Sequence, residues 1–417
     1  MSVWTINGGN KLFGDVKAQG SKNAVLPIMA AAIITGCETE LINCPELSDV
    51  GAAMDILRHL GCKAERRDGA VYIDSRGMNR TDIPHELMRE MRSSVIFLGA
   101  ILARAHRASI SYPGGCELGA RPIDLHLAAL KSLGADIQEQ GCNINCFDSG
   151  LIGTRINLKF PSVGATENAM LAACAAKGET VITNAAREPE IVDLQEFMRK
   201  LGVNISGAGT SVVTIDGFGT RRSVKHKIMN DRIVSATAMC CVAVTGGSIT
   251  LNEVVPADFE TAMAALEYMG CDIERGECTV KITCNTALRA CYPIVTRPYP
   301  DFPTDIQPLL MAACLTAAGT TEFTENIFEN RYRHVPEMCK LGADIVVEDR
   351  VARVTGVKRL QGAEVSATDL RGGAALVAAA LGADGRTVID DNGHIARGYE
   401  DFDRLLANLG ADLSYRA

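Results

Sequence analysis

One cysteine lies in a glycine-rich run beside an arginine, in the stretch PGGCELGARPIDLH at residues 113–126. Pro122 suits the first turn of a helix, where its missing N–H needs no partner, so the glycines before it predict a loop that carries Cys116. A partly exposed thiol close to Arg121 and a helix N-terminus is in the setting that favours the reactive thiolate. Two interpretations stay open at this point, a catalytic thiol and a chance loop cysteine.

A second stretch, KAQGSKNAVLPIM, places Lys22 and Asn23 between a Gly-Ser turn and an apolar run. A lysine at a helix start opposes the positive end of the helix dipole. A bound anionic ligand at this helix start would explain why a lysine occurs there. The alternative is a solvated surface lysine.

Later stretches combine carboxylates with arginines that follow a glycine or lead into a helix. They are RPYPDFPTDIQ with Asp305, IFENRYRH with Arg331, ATDLRGG with Asp369 and Arg371, and GHIARGYEDF with Arg397. A guanidinium group binds phosphate or carboxylate through two parallel hydrogen bonds. Each residue taken singly is a common surface residue, whereas the whole set favours a site for an anion.

The elements that must position these residues come from an internal repeat of about 70 residues. An amphipathic helix, a Leu or Met, a glycine and a strand recur six times, with the glycines at Gly61, Gly134, Gly202, Gly270, Gly342 and Gly410. Each glycine is predicted to end its helix in a left-handed conformation.

Each repeat also holds a second, Ala-rich helix that is apolar nearly all round and is therefore predicted to be buried. In the amphipathic helix of the second copy, one apolar stripe is formed by Ile123, Leu127, Leu130 and Leu133. The terminal copies resemble the internal ones, which disfavours an open solenoid with polar caps and favours two groups of three repeats. An α/β repeat protein that only binds partners is the alternative.

Composition limits the function classes. The net charge of −8 over 417 residues disfavours nucleic acid or an anionic membrane surface as the main partner. The N-terminal stretch MSVWTINGGNKLFGDVKAQG lacks a basic segment followed by a long apolar run, and no later segment reaches about 18 uninterrupted apolar residues. A cytosolic protein with reduced cysteines is therefore expected. Core packing is predicted for Cys174, Cys240, Cys241 and Cys314. Cys142 and Cys146 lack the second pair that a zinc site needs.

Taken together, these motifs resemble the UDP-N-acetylglucosamine enolpyruvyl transferase family of the EPSP synthase superfamily. The resemblance covers essentially the whole chain through GSKNA, MRSS, PGGCELGARPIDLH, PSVGATEN, FPTDIQ, IFENRYRHVPEM, ATDLRGG and ARGYED. It implies an α/β fold, an inside-out α/β barrel of two similar domains, each with three βαβαββ repeats. Residues 20–230 would form the first domain with the Cys116 loop, and residues 1–19 plus 231–417 the second.

The resemblance also implies an activity. The enolpyruvyl group of phosphoenolpyruvate would pass to the 3'-hydroxyl of UDP-N-acetylglucosamine with release of phosphate, through addition and elimination. This is the first committed step of peptidoglycan synthesis, in the cytoplasm, and serves cell wall biogenesis, cell shape, cell division and the cell cycle. The family is the target of the epoxide fosfomycin. No metal, cofactor, nucleic acid or membrane partner is implied, and the oligomeric state is left open.

The resemblance carries over a set of site residues. The catalytic ones would be Cys116, Asp305, Lys22, Arg397 and Asp369, with Cys116 as proton donor and covalent partner, Asp305 as acceptor of the hydroxyl proton and Asp369 as a proton carrier. Lys22, Arg121 and Arg397 would hold the phosphate. The substrate-binding set would be Lys22, Asn23, Arg92, Arg121, Pro122, Asp124, Leu125, His126, Ser162, Val163, Gly164, Asp305, Ile327, Arg331, Arg371 and Arg397.

The sequence departs from the family pattern in two places. Phe160 stands where some members carry a lysine, with Lys159 adjoining, and residues 230–239 (NDRIVSATAM) keep Asp231 and Arg232 in a changed context. Three alternatives stay open: the shikimate-pathway enolpyruvyl transferase, which lacks the PGGC loop; a cysteine hydrolase; and a non-catalytic repeat scaffold.

Overall fold

The computed structural model of the chain describes residues 2–91, 93–112 and 123–416. Four predicted site residues, Arg92, Cys116, Arg121 and Pro122, lie outside the described residues. The described chain divides into two compact units. Unit 1 holds residues 2–19 and 230–416, and unit 2 holds the described residues between 20 and 229.

The strands are short and spread evenly along the chain. In chain order they are β1 (Val3–Asn7), β2 (Leu12–Lys17), β3 (Glu38–Ile42), β4 (Lys63–Arg67), β5 (Ala70–Asp74), β6 (Asp82–Ile83), β7 (Arg107–Ser111), β8 (Asp136–Gln140), β9 (Asn143–Phe147), β10 (Arg155–Asn157), β11 (Thr180–Thr183), β12 (Val203–Ser206), β13 (Val212–Phe218), β14 (Val224–Lys227), β15 (Gly247–Asn252), β16 (Asp272–Arg275), β17 (Thr279–Cys284), β18 (Ile294–Val295), β19 (Thr320–Thr324), β20 (Asp344–Glu348), β21 (Val351–Thr355), β22 (Glu364–Ser366), β23 (Arg386–Asp390) and β24 (Asp412–Arg416).

The helices alternate with these strands. The α-helices are α1 (Lys22–Ala31), α2 (Ser48–His59), α3 (His85–Glu90), α4 (Phe97–Ala105), α5 (Asp124–Ser132), α6 (Val163–Ala173), α7 (Pro189–Leu201), α8 (Arg232–Thr245), α9 (Glu260–Met269), α10 (Gln307–Cys314), α11 (Val335–Lys340), α12 (Leu370–Leu381) and α13 (Phe402–Asn408). Short 3₁₀ helices are formed by Ser94–Ile96, Pro256–Phe259, Arg331–His334 and Ile395–Arg397.

The described strands form six four-stranded sheets with the same internal plan, three in each unit. In unit 2 the strand orders are β14-β3-β5-β4, β6-β7-β9-β8 and β10-β11-β13-β12, and in unit 1 they are β2-β15-β17-β16, β18-β19-β21-β20 and β22-β23-β1-β24. The first two strands of each order are parallel and the other pairings are antiparallel. The six repeats predicted from the sequence are confirmed as structural units.

The predicted helix-ending glycines and buried helices are also confirmed. All six repeat glycines have φ between +91° and +117°, the left-handed region that costs a glycine nothing. Every residue of α6 from Ala165 to Ala173 is buried, as are the stripe residues of α5. The thiols predicted to act as core residues, at Cys174, Cys240, Cys241 and Cys314, are at most 2% exposed. Each unit has its own continuous hydrophobic core.

Among the described residues, no helix combines the length and the apolarity that a membrane crossing requires.

Helices α4 and α6 approach closely in unit 2 because Gly99 has no side chain. The backbone N–H of Gly99 donates to Asn168 Oδ1 at 2.7 Å. A Cβ on Gly99 would lie 2.5 Å from the Asn168 carbonyl oxygen and 2.6 Å from Oδ1. We expect Gly99→Ala to lower the free energy of unfolding of unit 2 by about 2–3 kcal/mol, since such overlap forces the helices apart. Urea unfolding followed by circular dichroism measures this change.

The matched control for Gly99→Ala is Gly51→Ala in α2, where an added Cβ meets no atom within 4 Å. Alanine is the better helix former, so this change is expected to be neutral or to stabilise by up to about 1 kcal/mol. Equal effects of the two substitutions would contradict the packing argument.

Candidate active site

In unit 1, a carboxylate is held between two buried arginines. Arg331 Nη2 donates to Asp305 Oδ1 at 3.2 Å, and Arg371 Nη2 donates to Asp305 Oδ2 at 3.3 Å. Both arginine side chains are 2% exposed, whereas that of Asp305 is 28% exposed. The carboxylate is thus supported from the protein side and accessible on another side. We call Asp305, Arg331, His334, Asp369 and Arg371 the arginine–carboxylate cluster.

Arg331 is fixed by the backbone next to Asp305. It belongs to a 3₁₀ helix, and its Nε and Nη2 donate to the Thr304 carbonyl oxygen at 3.2 and 2.7 Å. Its Nη1 lies 3.9 Å from Asp369 Oδ1. Arg331 therefore connects the loop that carries Asp305 with the start of α12 and acts as a support for the two carboxylates.

Asp369 caps helix α12. Its Oδ1 accepts hydrogen bonds from the backbone N–H groups of Arg371 and Gly372, each at 3.0 Å. Burial raises the pKa of Asp369, but the positive charge of Arg331, the interaction with His334 and these two N–H groups outweigh it and lower the pKa below its usual value. Gly372 is required here, because a Cβ would lie 2.7 Å from Asp369 Oδ2.

Arg371 follows this cap in the first turn of α12 and lies 5.2 Å from the ring centroid of Tyr399. Burial alone would lower the pKa of Arg371, but Tyr399 and the carboxylates of Asp305 and Asp231 raise it, so the guanidinium stays charged. Within the described part of the chain, its Nε and Nη1 have no hydrogen-bond acceptor. Arg371 therefore places a buried positive charge beside Asp305.

His334 belongs to the cluster although the sequence did not single it out. It is fully buried, and its Nδ1 lies 3.1 Å from the Arg331 carbonyl oxygen, which accepts the Nδ1–H. Burial lowers the pKa of His334 to about 4, so the ring is neutral at pH 7. Its ring fixes the 3₁₀ helix from which Arg331 points to Asp305.

Glu325 is a buried carboxylate that holds the backbone next to the cluster. The sequence did not single it out either. Its Oε1 accepts the backbone N–H groups of Ile327 and Phe328 at 2.8 and 2.9 Å. Its Oε2 accepts from Thr304 Oγ1 at 3.0 Å. One buried carboxylate, 1% exposed, therefore sets both the loop of the predicted sugar contact Ile327 and the residue before Asp305.

Arg397 lies at the end of the 3₁₀ helix Ile395–Arg397 and is half-buried. The preceding backbone is anchored by Asp391, whose Oδ1 accepts the Ile395 N–H at 2.9 Å. The place of Arg397 in a phosphate site stays a prediction.

In unit 2, Lys22 is the first residue of α1, as the sequence predicted. Its Nζ lies 2.8 Å from Asp49 Oδ2, and the two side chains are 12% and 4% exposed. The alternative of a solvated lysine is therefore wrong. Asp49 supplies a buried negative charge from the first turn of α2. This charge offsets the repulsion between the Lys22 ammonium group and the positive end of the α1 dipole. An anionic ligand for Lys22 stays a prediction.

His126 is held in a buried hydrogen-bond network on α5. Asn168 Oδ1 accepts from Gly99, which orients the Asn168 amide so that Nδ2 donates to Val95 O and to His126 Nδ1, each at 2.8 Å. His126 Nδ1 is thus the acceptor, and the ring carries its proton on Nε2. A Cβ on Gly164 would lie 2.9 Å from His126 Cε1, so glycine there makes room for the ring.

The buried position of His126 predicts an acid-sensitive stability. Burial lowers the pKa of His126 to about 4, below the value of about 6.5 for an unfolded chain. Between these values the unfolded chain binds a proton that the folded unit does not. The free energy of unfolding should therefore fall as the pH falls from 6.5 to 4, by up to about 3 kcal/mol from this residue.

Urea unfolding between pH 4 and 7.5 measures this loss. His126→Gln should remove the His126 part of this pH dependence and leave the part from His334, whose pKa is also lowered to about 4. His85→Gln, at an exposed position on α3, serves as the matched control. A His126→Gln protein that kept the full acid loss would contradict the assignment.

The other predicted residues of unit 2 lie at helix starts. Ser162 caps α6, with Oγ accepting from the Ala165 N–H at 3.4 Å, and Val163 and Gly164 form the first turn. Asp124 and Leu125 open α5, where Asp124 is exposed and Leu125 half-buried. Asn23 is half-buried in α1.

The two departures from the family pattern have a structural description. Phe160 is 43% exposed and lies just before the α6 cap. Asp231 caps α8 and accepts from the Ile233 and Val234 N–H groups at 2.8 and 3.1 Å. The changed residues 230–239 thus keep a normal helix start.

The structure therefore brings the unit 1 residues Asp305, Arg331, Asp369 and Arg371 into one cluster. In unit 2 it places His126 against Gly164 and pairs Lys22 with Asp49. Arginine flanked by carboxylates was the sequence signal for the first group. Glu325, His334, Asn168 and Asp49 are the supporting residues that the sequence did not single out.

Known proteins resemble this chain along nearly its whole length. Residues 6–406 match the family described as EPSP synthase (3-phosphoshikimate 1-carboxyvinyltransferase). The chain is 46% identical over 413 residues to UDP-N-acetylglucosamine 1-carboxyvinyltransferase 2 of Caldanaerobacter subterraneus subsp. tengcongensis, with 99% of each chain covered. It is 45% identical to UDP-N-acetylglucosamine 1-carboxyvinyltransferase 1 of Symbiobacterium thermophilum, covering 99% of this chain and 94% of that one.

Solved structures agree on the fold. The enolpyruvyl transferase NikO from Streptomyces tendae superposes with a TM-score of 0.88 at 25% identity, covering 99% of this chain and 98% of that one. EPSP synthase from Acinetobacter baumannii superposes with a TM-score of 0.75 at 19% identity over the full length of both chains, which supports the fold alone. The inside-out α/β fold expected from the sequence is confirmed, and the chain belongs to the UDP-N-acetylglucosamine 1-carboxyvinyltransferases of the EPSP synthase family.

Proposed function

We propose that this protein transfers the enolpyruvyl group of phosphoenolpyruvate to the 3'-hydroxyl of UDP-N-acetylglucosamine and releases phosphate. The observation that carries the proposal is the similarity, at 43–46% identity over 99% of the chain, to relatives that bear the name of this activity. The product enters peptidoglycan synthesis. We place the reaction in the cytoplasm and connect it to cell wall biogenesis, cell shape and division.

Asp305 is the proposed acceptor of the sugar hydroxyl proton. Two buried guanidinium groups hold its carboxylate, and its partial exposure leaves room for a substrate hydroxyl. Hydrogen bonds from Arg331 and Arg371 fix its orientation, as a general base requires. Arg371, whose guanidinium stays charged beside Asp305, would attract a negative charge of phosphoenolpyruvate.

Asp369 is proposed to handle protons in the intermediate. Its lowered pKa keeps it ionised at pH 7, so in the free enzyme it can accept a proton and has none to donate. The donor to the enolpyruvyl C3 would then be Cys116, outside the described residues, with Arg121, Lys22 and Arg397 on the phosphate and Arg92 as a further cation. We also propose that units 1 and 2 are the family's two domains, and that Cys116 is the site at which fosfomycin acts.

The nucleotide and sugar would be bound by helix starts and a loop. Ser162, Val163 and Gly164 present the first turn of α6, and the N-terminus of a helix favours the diphosphate. The remaining proposed contacts are Asn23, Pro122, Asp124, Leu125, His126 and Ile327.

Phosphate release tests the proposed activity. Purified protein with phosphoenolpyruvate and UDP-N-acetylglucosamine should release phosphate continuously. Replacing the sugar nucleotide with shikimate 3-phosphate, the acceptor of the sister enzyme, should give background release. Release with shikimate 3-phosphate alone would favour the sister activity, and release with neither acceptor would favour a non-catalytic scaffold.

Arg397→Ala is expected to raise the KM for phosphoenolpyruvate at least about tenfold, since a charge-assisted hydrogen bond to phosphate contributes about 1.5–3 kcal/mol. The half-buried position at the end of a short 3₁₀ helix predicts that the fold is retained. Arg404→Ala is the matched control, because Arg404 is 74% exposed on α13 and pairs with Asp401. Steady-state kinetics with an unchanged KM for phosphoenolpyruvate would remove Arg397 from the phosphate site.

A further inference from the structure

Two cysteines of unit 1 face each other across a β-hairpin that lies outside the candidate active site. Strands β16 and β17 are antiparallel, with Asp272 opposite Thr283 and Ile273 opposite Ile282. The same register, continued by one residue beyond the pair of Asp272 and Thr283, places Cys271 opposite Cys284. Ile273 and Ile282 are buried on the same face as the two cysteines, which are 6% and 2% exposed. The two thiols therefore point into the same part of the core.

The hydrogen bonds of the hairpin show whether Cys271 and Cys284 form a hydrogen-bonded or a non-hydrogen-bonded antiparallel pair. The Gly276 N–H donates to the Thr279 carbonyl oxygen at 2.8 Å, so residues 276 and 279 form a hydrogen-bonded pair. Pairs alternate along an antiparallel ladder, which makes the pair of Cys271 and Cys284 a non-hydrogen-bonded one. The Cys271 N–H agrees with this, because it donates to Leu266 O at 3.0 Å.

Non-hydrogen-bonded pairs bring side chains closest. Their Cα atoms are about 4.5 Å apart, within the range of about 4.4–6.8 Å that a disulfide spans. Both cysteines are reduced in this structure. The pair therefore has the backbone geometry of a disulfide before any bond is formed.

The electrostatic setting distinguishes this pair from the other core thiols. Interaction with Cys271 lowers the pKa of Cys284 to about 7, burial opposes this, and the Thr286 backbone and Lys11 contribute further lowering. The pKa of Cys271 is raised in return. By contrast, burial raises the pKa of Cys241 and of Cys314 to about 12. The direction of these two pKa shifts favours Cys284 as the nucleophile of the pair.

The position of the hairpin at the edge of its sheet gives a small oxidant access to the two thiols. β16 is the edge strand of its sheet, and its outward residues Asp272 and Glu274 are exposed. Segments with solvent-exposed backbone open locally at a lower free-energy cost than central core strands, and hydrogen peroxide is small enough to enter through such an opening.

We propose that Cys271 and Cys284 form a peroxide-oxidised dithiol site, which closes to an intramolecular disulfide across β16 and β17. The Cys284 thiolate attacks one oxygen of hydrogen peroxide and becomes a sulfenic acid while hydroxide leaves. The Cys271 sulfur then attacks the Cys284 sulfur and displaces the hydroxyl, which leaves as water. In total, two thiols lose two electrons and two protons, and one hydrogen peroxide becomes two waters.

Peptide mapping of the folded, full-length protein tests the proposal. The protein is treated with hydrogen peroxide at pH 7.5, quenched, alkylated in denaturant and analysed by mass spectrometry with fragmentation that separates Cys271 from Cys240 and Cys241. We expect a dithiothreitol-sensitive link between Cys271 and Cys284 that forms at least about tenfold faster than oxidation of Cys241 or Cys314. A link from Cys284 to another cysteine, or free Cys271 and Cys284 after oxidation of the other thiols, would overturn it.

Two variants sharpen the test. In Cys271→Ala, Cys284 should accumulate as a sulfenic acid that dimedone traps, because the resolving thiol is gone. Cys291→Ala removes another buried thiol of unit 1 and should leave the link unchanged. If Cys271→Ala does not fold, the wild-type map decides alone, and its result does not depend on the proposed transferase activity.

Discussion

Asp305→Asn is expected to lower kcat by about 10²–10⁴-fold, the usual contribution of a positioned general base. The substitution keeps the shape of the side chain, and its amide oxygen can still accept from Arg331 or Arg371. It removes the charge that would take the proton of the sugar hydroxyl. The KM for UDP-N-acetylglucosamine should change little, because the nucleotide contacts proposed in unit 2 stay intact.

Phosphate-release kinetics and calorimetric binding of UDP-N-acetylglucosamine separate this role from a structural one. Asp305→Ala would mix the two more strongly, since it removes the hydrogen-bond acceptor of two buried guanidinium groups as well as their shared counterion. Asp301→Asn, on an exposed carboxylate of the same loop, is the matched control. A kcat of Asp305→Asn within threefold of wild type would exclude the general-base role.

The repeat architecture could be predicted from the sequence because short-range sequence patterns determine its helices and their ends. A glycine after each amphipathic helix requires a left-handed backbone, and a helix that is apolar all round must be buried. Both kinds of signal act over one or two turns of chain. Gly202, for example, ends α7 with φ +100°. Such signals recur in all six copies, so an error in one copy would not have changed the architecture.

The candidate site could be predicted only in part, because its geometry depends on contacts between distant segments. Asp305 and Arg371 are 66 residues apart, and no local pattern indicates that their side chains meet. Asp49 was overlooked because an acidic residue in the first turn of a helix is common. Its burial against Lys22 depends on how α1 packs on α2.

The buried supporting residues were missed for a related reason. Glu325, His334 and Asn168 look in the sequence like ordinary polar residues near element ends. In the structure each satisfies backbone or side-chain groups that would otherwise be buried without partners, such as the N–H groups of Ile327 and Gly99. Predicting them would require knowing which backbone groups become buried, and this is a property of the folded chain.

Cys116→Ser is expected to lower turnover at least about 100-fold and to protect the enzyme from fosfomycin. A serine hydroxyl is a far weaker acid than a thiol, whose pKa is about 8.5 in a free chain, so it is a poor proton donor to the enolpyruvyl group. It also cannot supply the thiolate that opens an epoxide. The residue lies outside the described residues, and the prediction rests on its loop sequence and on the family.

Phosphate release before and after incubation with fosfomycin measures both effects, with mass spectrometry to locate the adduct. Cys142→Ser is the matched control, because Cys142 is the exposed thiol at the turn between β8 and β9, and this variant should be inactivated as fast as wild type. Turnover by Cys116→Ser close to wild type would remove the thiol from the proton-transfer step. An adduct on another cysteine in the wild-type protein would show that fosfomycin acts elsewhere. Loss of turnover with an unchanged adduct site would separate the two roles, because the proton donor and the alkylated nucleophile would then be different groups.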